Sequence, residues 1–157
     1  MALSDDPLAW HCDHCDTTIR IADADGKDVQ LLGTRPGRSL PCPVCHQALQ
    51  AAAMDGNYRL DACANCRGLL MDREVFAGAV TAKRRSATTL SVMPKRVSRR
   101  QLDRRITCPS CAATMLTDWY YGPGHVVIDR CETCDLLWLD GGELQTIVEA
   151  PGPDRLL

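Results

Sequence analysis

The chain has 157 residues, a net charge of −2, and 4% aromatic residues with a single Phe. That length makes one domain or two very small ones, and so few rings exclude a large aromatic core. The 10 Cys all fall in five C-x-x-C pairs: Cys12/Cys15, Cys42/Cys45, Cys63/Cys66, Cys108/Cys111 and Cys131/Cys134.

The opening "MALSDDPLAW" is acidic and lacks an apolar run, so it does not read as a signal peptide. The longest strongly apolar stretch, "LLWL" at 136–139, is far too short to cross a bilayer. No membrane role is expected, and the expected compartment is a reducing cytoplasm. There, paired Cys serve as metal ligands or redox groups more often than as structural disulfides.

Residues 1–35 read as a knuckle, "HCDHC", followed by a β-hairpin. Its expected strands are "TTIRIA" and "VQLLG", joined by a turn at "DADGKD". "GTRPGRS" then reads as a linker. A first module follows at 40–82, a basic connector at 83–105, a second module at 106–150, and a tail at 151–157.

The two modules are an internal repeat. One reads "CPVCHQALQAAAMDGNYRLDACANCRGLLMDREVF" and the other "CPSCAATMLTDWYYGPGHVVIDRCETCDLLWLDGGEL". Each opens C-P-x-C and continues through a Gly-containing turn and a β-prone run ending Asp-x-Cys. Each closes on an apolar triplet and an Asp six residues past the last Cys. Two short strands are expected between the knuckles, with a turn at "MDGN" in one copy and "GPG" in the other. A helix is expected after each Asp, from Arg73 into the basic stretch and from Gly141 to Glu149. Asp140 and Glu143 form a D-x-x-E capping box, and Pro151 and Pro153 stop that helix. The copy at Asp72 has a weaker start, because Val75 stands three residues on.

The spacing carries the chemistry. Zinc takes four tetrahedral ligands, and two C-x-x-C knuckles supply four thiolates. The knuckles are separated by 17 and 19 residues, which is the zinc-site window. One zinc is assigned to Cys42, Cys45, Cys63 and Cys66, and a second to Cys108, Cys111, Cys131 and Cys134. Disulfides or a thioredoxin-like redox pair are one rival, but the sequence shows no βαβ scaffold for the latter; an iron–sulfur cluster or a single iron is the other rival for such donors. A module of about 40 residues buries too little surface to fold unaided, and a structural zinc supplies about 10–16 kcal/mol of coupled binding and folding energy. A closed four-thiolate site has no open position for water, so the expected role is structural, and no enzyme is expected.

Cys12 and Cys15 lack evident partners. They make a third zinc site if His11, His14 or His46 completes it. Otherwise they pair with Cys42/Cys45 and leave Cys63/Cys66 over, share six sulfurs between two zincs, or pair across a homodimer. The expected content is two zincs per chain, and three if this site forms.

C-P-x-C, the hairpin, and C-x-x-C-x-x-x-W-L-D-x-G-E-L with its following helix resemble the transcription factor IIB-type zinc finger domain, a zinc-ribbon family. The second copy carries the pattern on Cys108, Cys111, Cys131, Cys134, Trp138, Leu139, Asp140, Gly142, Glu143 and Leu144. The first is a degenerate match, with Leu70 in the place of the Trp and Met71 in the place of the Leu. The resemblance implies a small metal-stabilised α+β fold of tandem zinc ribbons, with little regular core. By analogy it also implies nucleic-acid binding.

Residues 83–105 hold nine of the 18 basic residues and one acid, a net +8 against −10 for the rest of the chain. Lys83, Arg84, Arg85, Lys95, Arg96, Arg99, Arg100, Arg104 and Arg105 could meet phosphates, or they could be a solvated counterweight to the acidic modules. In "DWYYGPGH" alternation puts Trp119 and Tyr121 on one face and Tyr120 on the other. The rings are expected to cover the metal site as a miniature core; stacking on bases or gripping a protein is the other reading. Three function classes stand: a zinc-dependent binding module for nucleic acid or the transcription machinery, a protein–protein adaptor, and a zinc or redox sensor using Cys12/Cys15.

Overall fold

The computed structural model describes residues 9–12, 17–20, 29–34, 37, 39–87 and 99–152, with side chains from residue 29 onward. Among the described residues the strands are β1 (Ala9–Cys12), β2 (Thr17–Arg20), β3 (Val29–Gly33), β4 (Gln50–Met54), β5 (Tyr58–Ala62), β6 (Leu69–Asp72), β7 (Leu116–Trp119), β8 (Val127–Cys131) and β9 (Leu136–Leu139). Among the described residues the helices are α1 (Arg73–Ser86), α2 (Arg99–Asp103) and α3 (Glu143–Glu149).

β1 and β2 pair with each other, Cys12 opposite Thr17. The other strands form one antiparallel sheet in the order β3-β4-β5-β6-β9-β8-β7. This corrects the N-terminal hairpin. "TTIR" pairs backwards across the knuckle to "AWHC", and "VQLLG" leaves it to cover β4, Val29 opposite Met54 and Leu31 opposite Ala52. The reason is burial: Val29 is 3% exposed and packs with Leu31 into the core of the first repeat.

The hairpins inside the repeats form as expected, β4 with β5 and β7 with β8. In the β4–β5 turn, Asp55 and Gly56 both take positive φ, 52° and 70°, and the Asn57 N–H bonds the Met54 carbonyl at 3.2 Å. Primed turns of this kind match the twist of the flanking strands.

The apolar triplets are strands, which sequence reasoning missed. β6 and β9 pair with each other: Leu69 opposite Leu139, Leu70 opposite Trp138, Met71 opposite Leu137, Asp72 opposite Leu136. In the repeat, Leu69 corresponds to Leu137, Leu70 to Trp138, and Met71 to Leu139. The pairing is therefore a pseudo-two-fold centred on Leu70 and Trp138. Two copies of one self-complementary strand join the repeats into a single sheet, so the separate modules and meagre core expected from sequence give way to one shared body.

Alternation along these strands sorts the core into two clusters. Leu69, Met71, Leu137 and Leu139 pack with α1 and α3 through Phe76, Ala79, Val80, Leu144 and Ile147. Leu70, Leu136 and Trp138 belong to a second cluster that contains the cysteines of both repeats.

α1 runs from Arg73 into the basic stretch, as expected, and ends at Ser86, so Lys83, Arg84 and Arg85 of the 83–105 segment are helical. Arg84 explains the extension. Its guanidinium donates to the carbonyls of Ile147 at 2.6 Å and Ala150 at 3.0 Å, and to that of Gly152, closing the C-terminus of α3. A cation there satisfies orphan carbonyls and complements the helix dipole. Glu143 accepts the Asp140 N–H at 2.7 Å, one half of the expected capping box. α3 then starts at Glu143, not Gly141, with Gly142 at its N-terminus at φ 90°, because the Asp140 side chain is engaged elsewhere. Residues of the tail beyond 152 lie outside the described residues. No described helix is long and apolar enough to cross a membrane.

Candidate metal centres

The structure brings the eight paired cysteines into two clusters. Cys42, Cys45, Cys63 and Cys66 form one, and Cys108, Cys111, Cys131 and Cys134 the other. Within each, all four sulfurs lie within 4.8 Å of one another. Cys42 Sγ is 3.5 Å from Cys66 Sγ, Cys45 Sγ 3.4 Å from Cys63 Sγ, and Cys111 Sγ 3.5 Å from Cys131 Sγ. Four thiolates about 2.3 Å from a tetrahedral ion stand about 3.8 Å apart, so the spacing suits such an ion.

The backbone builds each knuckle the same way. The residue after the second Cys takes positive φ in all four: His46 63°, Arg67 63°, Ala112 59° and Asp135 54°. At 46, 67 and 112 its N–H bonds the carbonyl of the first Cys at 2.8–3.0 Å. The left-handed conformation costs a non-glycine residue roughly 1–2 kcal/mol, so something must hold it. Amides from within the knuckles point at the sulfurs: Val44 N–H and Cys45 N–H to Cys42 at 3.4 Å, and Cys66 N–H to Cys63 at 3.5 Å. None of the four positive-φ residues is a glycine, and the C-x-x-C spacing is the signal the sequence gives of these turns.

Within each cluster the thiols are shifted in opposite directions. Burial pushes Cys42 up to about 11 and Cys108 up to about 12. Burial also drives Cys66 up, against the pull of the Gly68 amide. In Cys45 the same burial is outweighed by hydrogen bonds from the Asn65 side chain and the Gln47 backbone, which bring it down to about 6. Cys131 falls to about 7, because amide and thiol hydrogen bonds from Cys134 and Cys111 outweigh its burial. Four clustered sulfurs, two of them buried in each set, ionise together when a divalent ion sits among them, and metal uptake then releases protons.

The cluster linking the two centres is continuous. Cys42, Cys63, Cys108 and Cys131 pack with Leu49, Ile106, Met115 and the seam pair Leu70–Trp138. Trp138 is fully buried, and its indole N–H donates to Asp140 Oδ1 at 2.9 Å. Arg104 joins Asp140 at 2.8 Å and Asp129, which is 1% exposed, at 2.6 Å. Thr117 Oγ1 donates to the other Asp129 oxygen at 2.5 Å. Beside them burial pushes Glu143 up to about 9, with the Asp140 charge adding to the rise.

Arg104 is therefore the counter-ion of two carboxylates. Replacing it with Met leaves both uncompensated, a loss of about 3–5 kcal/mol. Thermal unfolding should show the midpoint lowered by on the order of 10 °C, with both metal clusters still assembled below it.

His46 is exposed and stands outside the first cluster. Cys12 and His11 lie in β1, whose side chains are outside the described residues, as are Cys15 and His14. Trp119, Tyr120 and Tyr121 do not cover a metal centre together. Tyr120 is 3% exposed and meets Phe76 edge-on at 5.5 Å in the helix-side cluster, while Trp119 and Tyr121 are 44% and 74% exposed. Alternation separated them correctly, but the core they were expected to form is supplied by the seam.

Two three-stranded ribbons, each clamped by a four-cysteine cluster, define a tandem zinc-ribbon protein. Residues 41–76 and 107–150 match the family described as transcription factor zinc-finger, together just over half the chain. The chain belongs to that family, in two tandem copies. No curated protein and no solved structure matches it.

Proposed function

We propose that the protein is a non-enzymatic binding module held by two structural zinc ions, one per four-cysteine cluster, acting on nucleic acid or the transcription machinery. Cys42, Cys45, Cys63 and Cys66 hold one ion, and Cys108, Cys111, Cys131 and Cys134 the other. The observation that carries this is the pair of closed four-sulfur clusters wired into one apolar cluster across the seam. Zinc supplies cross-linking there. With four protein ligands it has no open position for substrate, and the cytoplasm is the proposed compartment.

The basic segment supports a nucleic-acid role on fewer residues than its composition suggests. Lys83 pairs with Asp55 at 3.1 Å, Arg84 caps α3, Arg104 neutralises Asp129 and Asp140, and Arg105 bonds the carbonyls of Leu102 and Arg104. Arg85, Arg99 and Arg100 are exposed, and Lys95 and Arg96 lie outside the described residues. The proposed contacts are Arg85, Lys95, Arg96 and Arg99. Fluorescence anisotropy with short duplex and single-stranded DNA tests them. Each phosphate contact contributes about −0.9 to the slope of log affinity against log salt on duplex. Changing all four to Glu should flatten that slope by about 3.6 without altering zinc content. A slope unchanged by the four substitutions removes the belt from the interface.

A second reading, a protein–protein adaptor, is favoured by the exposure of Trp119 and Tyr121 at the sheet's edge.

A further inference from the structure

The two exposed rings of the second ribbon have no counterpart in the first. Counted from C-P-x-C, Ala53 stands where Trp119 does and Asp55 where Tyr121 does. The first ribbon forms its β4–β5 hairpin without a ring at either place, so the fold does not require them. Ala53 is buried, while Trp119 and Tyr121 stand in solvent.

A basic segment is held against the same strand. α2 packs on β7, and Thr117 Oγ1 of β7 lies 3.2 Å from the Arg104 carbonyl oxygen. Gln101 Nε2 donates to Glu143 Oε1 at 3.2 Å, and the Arg104 guanidinium is engaged with Asp129 and Asp140. These contacts fix α2 beside the rings. Arg99, Arg100 and Arg105 are exposed on this segment, against one exposed acid, Asp103. The groove that Trp119 and Tyr121 line, about 630 Å³, sets Arg73 and Arg130 against Asp118, Glu132 and Asp135. Arg130 is itself paired with Asp118 at 3.2 Å and Glu132 at 3.6 Å. Charge within the groove is therefore close to balanced, and the positive field comes from α2 and Arg105.

We propose that Trp119 and Tyr121 are a stacking platform for the bases of a single-stranded nucleic acid, whose phosphates meet Arg99 on the clamped helix. This names the substrate class of the nucleic-acid reading, on which it rests. An exposed ring stacks only on a base whose face is free, and paired, stacked bases within a duplex offer none. Stacking is also tolerant of sequence, because every base has a π-face. The rings supply stacking and α2 supplies charge, so the two contributions separate in their dependence on salt.

Fluorescence anisotropy of the full chain with a short dT oligonucleotide, and with a duplex of the same length, tests this. A Trp119→Leu/Tyr121→Leu chain keeps the apolar bulk and loses both π-faces. It should bind dT at least about tenfold more weakly, with duplex affinity, salt slope, zinc content and unfolding midpoint unchanged. Trp119→Phe/Tyr121→Phe should restore most of the affinity. The contact is also read directly: in a Trp10→Phe chain, dT should quench the fluorescence, and a further Trp119→Phe should abolish the quenching. Unchanged dT affinity in the Leu/Leu chain, or an unquenched Trp119 at saturating dT, overturns the proposal. The nucleic-acid reading then still stands if the four Glu substitutions flatten the slope. Equal loss of dT and duplex binding overturns the proposal too. A parent chain that binds neither removes both it and the nucleic-acid reading, and leaves the rings to a protein partner.

Discussion

A Cys131→Ser chain is expected to lose the whole body of the fold, not the second repeat alone. Cys131 belongs to the second cluster and ends β8, and β8 pairs with β9, which pairs with β6 of the first repeat. A structural zinc is worth about 10–16 kcal/mol, and the whole stability of a domain is about 5–15 kcal/mol, so one lost ligand reaches the global balance. Circular dichroism distinguishes the outcomes. α1 of the first repeat holds 14 residues, against 7 in α3 and 5 in α2. A chain that lost only its second repeat would keep more than half of the helical residues described. We expect nearly all of the helical signal to vanish in one transition, together with both zincs. A stable remnant still holding one zinc contradicts the shared body.

The second large effect is at the seam. Gly68 has room for no side chain: a Cβ there would overlap the Trp138 ring, with Cη2 at 2.5 Å. Gly68→Ala is expected to cost about 3 kcal/mol, at the high end for overpacking, because the neighbour is a buried ring with no free space. Trp138→Leu leaves a cavity between the two metal centres and should cost about 2–4 kcal/mol. The double variant should cost less than the sum of the two by about 1–3 kcal/mol, since Leu vacates the volume the new methyl needs. Denaturant unfolding of the four chains measures this. Strict additivity would mean that Trp138 does not rest on Gly68.

The same contact explains the imperfect first repeat. Trp138 and Leu70 stand opposite each other at the pseudo-two-fold. Two indoles on that axis would compete for one space, so one copy keeps the ring and the other provides Gly68 and Leu70 to receive it. In sequence this looked like decay of the motif. The eight cysteines, the internal hairpins and the two helices were legible because each depends on local spacing. The fusion of the ribbons was not, because "LLMD" and "LLWL" are too short to declare a strand, and their partner is decided by pairing across the chain. The transfer of β3 to β4 was hidden for a similar reason: "VQLLG" suits a hairpin with "TTIR" as well as it suits the main sheet, and only the burial of Val29 and Leu31 decides. The basic segment misled because composition does not show that Arg84 closes a helix and Arg104 lies between two carboxylates.

The most direct test of the account is native mass spectrometry of a Cys12→Ser/Cys15→Ser chain, with elemental analysis of the same sample. Removing the N-terminal pair isolates the two clusters. The account predicts a monomer carrying two zincs, both retained until the chain unfolds and then lost together. One metal per chain, iron in place of zinc, or a folded body that holds neither would contradict it.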